Sequence, residues 1–132
     1  MGNQGTRRMS RILIVEDDED VRALIAHKLR RAGHEVSEAG DGEQGLAAAR
    51  EDTPDLIVLD WMMPKLTGIE VCANIRADAD LAQPRILLLT AKSQDSDIAL
   101  AMKTGADGYL IKPFRANDLL ERVTALLAVP VA

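Results

Sequence analysis

Four consecutive apolar residues, 56–59, are followed directly by the carboxylate Asp60, and Pro64 comes four positions later. An unbroken apolar run of this length is typical of a strand that is covered on both faces, as in a parallel sheet. Asp60 would then stand at the carboxyl end of that strand. Open α/β sheets bind their ligands at this edge, so Asp60 is the first candidate functional residue.

Four other segments have strand character, and helical patterns separate all of them. These predicted strands cover residues 12–15, 34–39, 86–89 and 107–111. Strands that alternate with helices across short connections predict parallel pairing with right-handed crossovers. We therefore predict an α/β fold, a single doubly wound, flavodoxin-like sheet. Its five parallel strands have the order 2-1-3-4-5, and five helices cover both faces.

Five acids, residues 16–20, follow the first predicted strand and are favourably placed at the start of a helix. Asp18, Glu19 and Asp20 are interpreted as the solvated beginning of this helix. Its apolar stripe is predicted to consist of Val21, Leu24, Ile25 and Leu29. The third helix is predicted to pack through Ile69, Cys72, Ala73 and Ile75.

The length of 132 residues suits one domain. We expect a flexible extension at residues 1–10, the folded domain at 11–128 and a tail at 129–132. The net charge of −5 argues against a nucleic-acid-binding surface, and a single cysteine fits a reducing cytoplasm. No apolar run approaches the ~20 residues that span a bilayer. We expect a cytoplasmic protein without direct nucleic-acid or membrane contacts.

The predicted strands bring polar side chains to one edge of the sheet. The first strand ends at Glu16 and Asp17, the third at Asp60, the fourth at Thr90 and the fifth at Lys112. In the order 2-1-3-4-5 the first and third strands are neighbours, so the three carboxylates converge in a cleft. Carboxylates this close require a compensating cation, and Mg²⁺ prefers such oxygen ligands.

Acids, a divalent cation, a lysine and a hydroxyl together suit phosphoryl transfer. Mg²⁺ and Lys112 would neutralise the oxygens of the transferred group, and Asp60 would be the nucleophile. The chain lacks a phosphate-binding Walker loop, because no Lys-Ser or Lys-Thr follows Gly40 and Gly42. The phosphoryl group is therefore expected to come from a donor molecule rather than from directly bound ATP.

These motifs, in this order, resemble those of CheY-like response-regulator receiver domains of two-component signalling. The resemblance covers residues 11 to about 127. It rests on the acidic pair Glu16-Asp17, on Asp60-Trp61-Met62-Met63-Pro64 with Gly68, on Thr90-Ala91, and on Lys112-Pro113-Phe114.

The resemblance implies a phosphorelay role for Asp60. This residue would accept a phosphoryl group from the phosphohistidine of a sensor histidine kinase or of a histidine phosphotransfer protein. The resemblance also implies that Asp17, Asp60 and the backbone carbonyl of Met62 hold Mg²⁺, with Glu16 acting through water. The only reactions would be self-phosphorylation and slow autodephosphorylation at Asp60, so the protein is not expected to be an enzyme.

The resemblance further implies a conformational switch. Lys112 would contact the phosphoryl group, Thr90 would move towards it, Tyr109 would change rotamer, and the Lys112–Pro113 bond would be cis. The face formed by the fourth helix, fifth strand and fifth helix would then bind an output protein or domain. The protein would be a monomer or a phosphorylation-dependent dimer.

Three alternatives remain to be compared with this interpretation. A haloacid-dehalogenase-type phosphatase also forms an aspartyl phosphate, but it needs an acid two residues after the nucleophile, where this chain has Met62. A degenerate receiver that acts only as a protein-interaction module usually lacks the acceptor or the acidic pair. A flavodoxin has a phosphate loop rich in Ser and Thr, whereas this chain has acids there.

Overall fold

The computed structural model describes residues 10–128. Strands and helices alternate throughout this part of the chain. In chain order they are β1 (Arg11–Val15), α1 (Glu19–Arg31), β2 (Glu35–Ala39), α2 (Gly42–Asp52), β3 (Leu56–Asp60), α3 (Gly68–Ala77), β4 (Arg85–Thr90), α4 (Asp95–Thr104), β5 (Gly108–Ile111) and α5 (Ala116–Ala128). The predicted extension at residues 1–10 and the predicted tail at residues 129–132 lie outside the described residues, except for Ser10.

All the strands pair in parallel, and their order in the sheet is β2-β1-β3-β4-β5. The predicted order 2-1-3-4-5 and the flavodoxin-like fold class are confirmed. The order reverses between β1 and β3, where crevices form in sheets of this kind. The register places Val15 opposite Leu59, so the residues that follow them lie side by side.

The central strand β3 is buried along its whole length because helices cover both faces of the sheet. Its side chains alternate between two hydrophobic clusters, as the two-residue period of a strand requires. Ile57 and Leu59 belong to one cluster, whereas Leu56 and Val58 belong to the other. Burial of each such side chain is worth about 1.5–3 kcal/mol, which fixes the position of Asp60 at the strand end.

The helix starts follow from local chemistry. Asp18 is the N-cap of α1, and its carboxylate accepts hydrogen bonds from the backbone N–H groups of Asp20 and Val21. Thr67 and Glu70 form a reciprocal capping box at the start of α3. Asp18 therefore stabilises the helix start, as the interpretation of residues 18–20 anticipated.

Two details of the predicted helix faces are wrong. Leu24 is 59% exposed, although it was assigned to the apolar stripe of α1. In α3 the buried side chains are Val71, Cys72 and Ile75, whereas Ala73 is exposed. The sheet covers only part of each helix surface, and the helical period alone does not specify where that part ends.

Within residues 10–128, no helix combines the length and the apolar character needed to cross a membrane.

Candidate functional site

The carboxyl ends of β1, β3 and β4 place three polar side chains in the interior. Across the described residues, the buried polar or charged side chains are those of Glu16, Asp60 and Thr90, which are 2%, 3% and 2% exposed. Burial of such groups is unfavourable unless they are paired. All three follow or end a strand at the same edge of the sheet, so the unfavourable free energy of burying polar groups is concentrated at this edge.

Three carboxylates meet at this edge. Glu16, Asp17 and Asp60 each offer an oxygen atom, and these atoms lie within 4.8 Å of one another. Glu16 and Asp60 are buried, whereas Asp17 is exposed, so the cluster opens to solvent on one side. Hard oxygen ligands with room for water are the donor set that Mg²⁺ prefers. The chemistry of the donor set therefore fits this ion.

Lys112 brings a positive charge to the cluster. Its Nζ atom donates a hydrogen bond to Asp60 Oδ1 at 2.7 Å and lies 3.5 Å from Glu16 Oε1. The backbone fixes this placement, because the Lys112 N–H donates to the carbonyl of Thr90 at 2.8 Å. The Lys112–Pro113 peptide bond is cis, as the sequence resemblance implied. One cation thus faces three carboxylates.

The pKa values reflect this excess of negative charge. Burial raises the pKa of Glu16 to about 7, a rise that a hydrogen bond from the Asp18 N–H partly opposes and the charge of Asp60 reinforces. The pKa of Asp60 is also raised, because burial and repulsion from Asp17 outweigh the hydrogen bond from Lys112. A divalent cation would relieve both effects.

The pKa of Lys112 is raised, which favours its protonated form. Burial lowers the pKa of this lysine, but its hydrogen bond to Asp60 and its attraction to Asp60 and Glu16 outweigh that effect and leave it raised. Lys112 therefore remains protonated and available as a hydrogen-bond donor at neutral pH.

Thr90 connects the site to the loop before α4. Its Oγ1 atom accepts a hydrogen bond from the Lys92 N–H at 2.8 Å. The Lys92 Nζ atom lies 5.6 Å from the centre of the ring of Trp61, which follows Asp60 in the chain. This distance permits a cation–π interaction. A movement of the Thr90 hydroxyl would therefore also disturb the loop.

Two predicted site residues, Tyr109 and Met62, are not among the buried polar groups. Tyr109 lies within β5 opposite Leu88, and its half-buried side chain packs against a hydrophobic cluster. Its carbonyl accepts a hydrogen bond from the Arg122 side chain on α5. Met62 follows Asp60 by two residues, and its side chain is 60% exposed. The roles assigned to both residues stay predictions.

Gly68 has a structural role that its sequence position alone does not reveal. A Cβ atom on this residue would lie 2.4 Å from the Asp60 carbonyl oxygen and 2.8 Å from Trp61 Cα. The Gly68 N–H donates to the Trp61 carbonyl at 2.9 Å. Only glycine lets α3 begin this close to the backbone of the acceptor strand.

Arg22 is a residue at the site that sequence analysis missed. Its NH1 group donates a hydrogen bond to the Glu16 carbonyl at 2.9 Å. An arginine one turn into a helix is indistinguishable by pattern from an ordinary surface residue. The signal is its partner, a backbone carbonyl six residues earlier, and only the fold places the two together.

Comparisons with known proteins agree with the observed fold and with the residues gathered at the site. Residues 12–124 match the family model of the response regulator receiver domain. The chain resembles CheY4 of Vibrio cholerae, a chemotaxis response regulator, with a TM-score of 0.85 and 33% identity across 90% of this chain and 99% of that one. The receiver domain of the Francisella response regulator 1452 has a TM-score of 0.83 and 30% identity, covering 89% and 96% of the two chains.

Longer regulators are also similar to this chain. The alkaline phosphatase synthesis transcriptional regulatory protein PhoP of Bacillus subtilis is 46% identical over 117 residues, 89% of this chain and 48% of PhoP. The DNA-binding response regulator MtrA of Mycobacterium tuberculosis H37Rv is 43% identical over 89% of this chain and 50% of MtrA. This chain therefore spans about half the length of these relatives. MtrA is named as a DNA-binding regulator, so the expectation of no direct nucleic-acid contact is not borne out for this full-length relative.

Proposed function

Because the chain belongs to the response regulator receiver domain family, we propose that Asp60 accepts a phosphoryl group from a phosphohistidine. The donor would be a sensor histidine kinase or a histidine phosphotransfer protein. One observation carries the proposal: the carboxylates of Glu16, Asp17 and Asp60 form a single cluster, and Lys112 contacts Asp60 at 2.7 Å.

The carboxylate of Asp60 is poised for nucleophilic attack. Lys112 binds the Oδ1 atom, so the other oxygen attacks phosphorus while the histidine nitrogen of the donor leaves. Lys112 then has a phosphoryl oxygen as its partner. The exposed side of the cluster at Asp17 gives the donor access to the acceptor.

Mg²⁺ is the cofactor that this donor set fits. Asp17, Asp60 and the backbone carbonyl of Met62 would hold the ion, with Glu16 acting through water. When bound, the ion supplies positive charge to the phosphoryl oxygens as the transfer proceeds. The raised pKa values of Glu16 and Asp60 support this assignment, because carboxylates that resist ionisation gain most from a nearby cation.

Phosphorylation is then transmitted through Thr90. A phosphoryl group adds about −1.5 to −2 charge and three acceptor oxygens, which attract the Thr90 hydroxyl. The Lys92 N–H is bonded to that hydroxyl, so the loop before α4 moves with it. Tyr109 is proposed to change rotamer in the same transition.

Helix α4 is the element that can respond most readily. Among its residues only Ala101 is buried, and its N-cap residue, Gln94, makes no capping side-chain hydrogen bond. Few buried contacts are typical of segments that rearrange at low free-energy cost. The transition is a shift of population between two packings of this helix.

The face formed by α4, β5 and α5 is proposed to bind the output protein or output domain. Leu100 and Met102 on α4 and Ile111 on β5 are large apolar residues that are 47%, 44% and 36% exposed. Exposed apolar side chains favour association. The protein is proposed to be cytoplasmic, and monomeric or dimeric upon phosphorylation. DNA binding, where it occurs, would belong to an output domain.

The receiver function is favoured over the two principal alternatives. A phosphatase of the haloacid-dehalogenase type requires an acid where Met62 stands, so the chemistry is proposed to stop at self-phosphorylation and slow hydrolysis. A module acting through protein contacts alone would have no use for three buried polar groups and a lysine at one sheet edge. No observation favours either alternative.

Incubation with a small phosphodonor such as acetyl phosphate tests the proposal. With Mg²⁺ present, intact-protein mass spectrometry is expected to detect the addition of one phosphoryl group. Asp60→Asn is expected to abolish the addition, whereas Asp80→Asn, an exposed carboxylate in the loop before β4, is expected to leave it intact. No mass gain in the wild type, or an equal gain in Asp60→Asn, would contradict the proposal.

A further inference from the structure

Arg22 connects the acidic loop after β1 to the edge strand β2. Its guanidinium group donates to the Glu16 carbonyl at 2.9 Å through NH1, and its Nε atom lies 3.5 Å from Glu38 Oε1. The Arg22 side chain is 20% exposed, so solvent competes little for these contacts. The guanidinium thus links the loop after β1 to the neighbouring strand β2.

Glu38, one of the two partners of this guanidinium, is itself held in place by a second arginine. Glu38 Oε2 accepts a hydrogen bond from Arg30 NH2 at 3.2 Å, and the same Arg30 group donates to the Val36 carbonyl at 3.1 Å. A Cβ atom on Gly40 would lie 3.3 Å from Arg22 NH1, so the absence of a side chain leaves room for the guanidinium. The arrangement is therefore a network of hydrogen-bonded side chains rather than a single ion pair.

The Glu16 main chain is fixed from two sides as a result. Its N–H donates to the Ala39 carbonyl at 3.1 Å, and its carbonyl accepts from Arg22. That carbonyl belongs to the peptide bond that leads into Asp17. Asp17 is exposed, so side-chain packing does little to place its carboxylate. The direction of its backbone, which Arg22 sets, decides where this carboxylate lies.

We propose that Arg22, supported by Glu38, is a positioning residue for the divalent-cation site. It fixes the peptide between Glu16 and Asp17 so that the Asp17 carboxylate meets those of Glu16 and Asp60. The inference rests on the proposed function for the identity of the ion. Arg22 does not touch the ion, the phosphoryl group or the acceptor.

A role of Arg22 through its charge and a role through positioning predict opposite effects of its removal on cation binding, so an experiment can distinguish them. If Arg22 acted only through its positive charge, its removal would strengthen cation binding, because one repulsive charge would be lost. If Arg22 acts by holding the loop, its removal weakens binding. Arg22→Lys separates the two further, because it keeps the charge but loses the planar fork that bonds two partners at once.

The experiment is an Mg²⁺ titration of the full chain, followed by the amide resonances of residues 16–18 at constant ionic strength. Arg22→Gln and Arg22→Lys are each expected to weaken Mg²⁺ binding about tenfold, the low end of the usual effect of losing a group that orients a metal ligand. Glu38→Gln is expected to weaken it less. Arg31→Gln, at an exposed arginine in the last turn of the same helix, is the matched control, and its affinity is expected to stay within about twofold of wild type.

Unchanged or tighter binding in Arg22→Gln would overturn the inference, and so would an equal loss in Arg31→Gln. A second measurement without metal keeps this result separate from the proposed function. The Asp18 N–H donates to Glu16 Oε2 at 3.2 Å, so its hydrogen exchange reports the order of the loop. Faster exchange in Arg22→Gln is expected, and unchanged exchange would refute the positioning role. A wild-type protein that fails to bind Mg²⁺ would contradict the proposed cofactor instead.

Discussion

The buried carboxyl group of Glu16 makes the stability of the protein depend on pH. Burial raises its pKa from 4.5 to about 7 in the folded state, while the unfolded chain retains the ordinary value. The folded state therefore holds this proton more tightly. Its contribution to stability is fully present below pH 4.5 and is lost as the pH rises through 7. At about 1.4 kcal/mol per pH unit, the loss amounts to about 3 kcal/mol.

Glu16→Gln removes the charge while it keeps the shape of the side chain and an acceptor for the Asp18 N–H. At pH 8, without divalent ions, we expect the variant to be more stable than the wild type. The gain is at most about 3 kcal/mol, a figure that already includes the attraction to Lys112, because this attraction is one of the causes of the folded-state pKa. At pH 4.5 the two proteins are expected to be equally stable.

Urea denaturation followed by circular dichroism, with a chelator and at several pH values, measures this difference. Glu121→Gln, which neutralises an exposed carboxylate of α5, is the matched control and is expected to change stability by less than about 0.5 kcal/mol at either pH. Mg²⁺ should narrow the difference in stability between Glu16→Gln and wild type. An ion that binds the native state stabilises it, and the wild type keeps all three carboxylates of the cluster. A variant no more stable than wild type at pH 8, or a gap independent of pH, would refute the reasoning.

Three further substitutions test separate contacts. Gly68→Ala places a Cβ atom 2.4 Å from the Asp60 carbonyl oxygen, so urea denaturation should detect a loss of about 1–3 kcal/mol; wild-type stability would contradict the close approach. Lys92→Met removes the charge 5.6 Å from the Trp61 ring and should change tryptophan emission while stability falls by at most about 1 kcal/mol; an unchanged spectrum would count against the contact. Leu29→Ala empties a site that is 0% exposed, and a midpoint shift equivalent to about 2–5 kcal/mol is expected; a loss below that range would contradict its place in the core.

The sheet and the convergence of the site could be predicted because both depend on short, local patterns. A buried parallel strand must be apolar along its length, and the carboxyl ends of parallel strands must meet at one edge. Glu16, Asp60 and Thr90 were therefore identifiable as the polar residues that follow or end such runs. The structure places all three in the interior at that edge.

The remaining contacts depend on distances between elements, which sequence patterns do not specify. Leu24 fits the helical period of α1, but the covering sheet does not extend over it, so it is 59% exposed. Arg22 meets Glu38 only because β2 pairs with β1 in one particular register. Lys92 lies over Trp61 because two loops from different strands are adjacent. None of these relations leaves a local signature.

The central claim is that Asp60 is the phosphoryl acceptor of a cation-dependent site. After incubation with acetyl phosphate, borohydride converts an acyl phosphate to an alcohol, and peptide mass spectrometry then identifies the modified residue. The account predicts modification at Asp60 alone, dependent on Mg²⁺ and absent with a chelator. Modification at Asp17, Glu16 or another carboxylate, or equal modification of Asp60 with the chelator present, would contradict it.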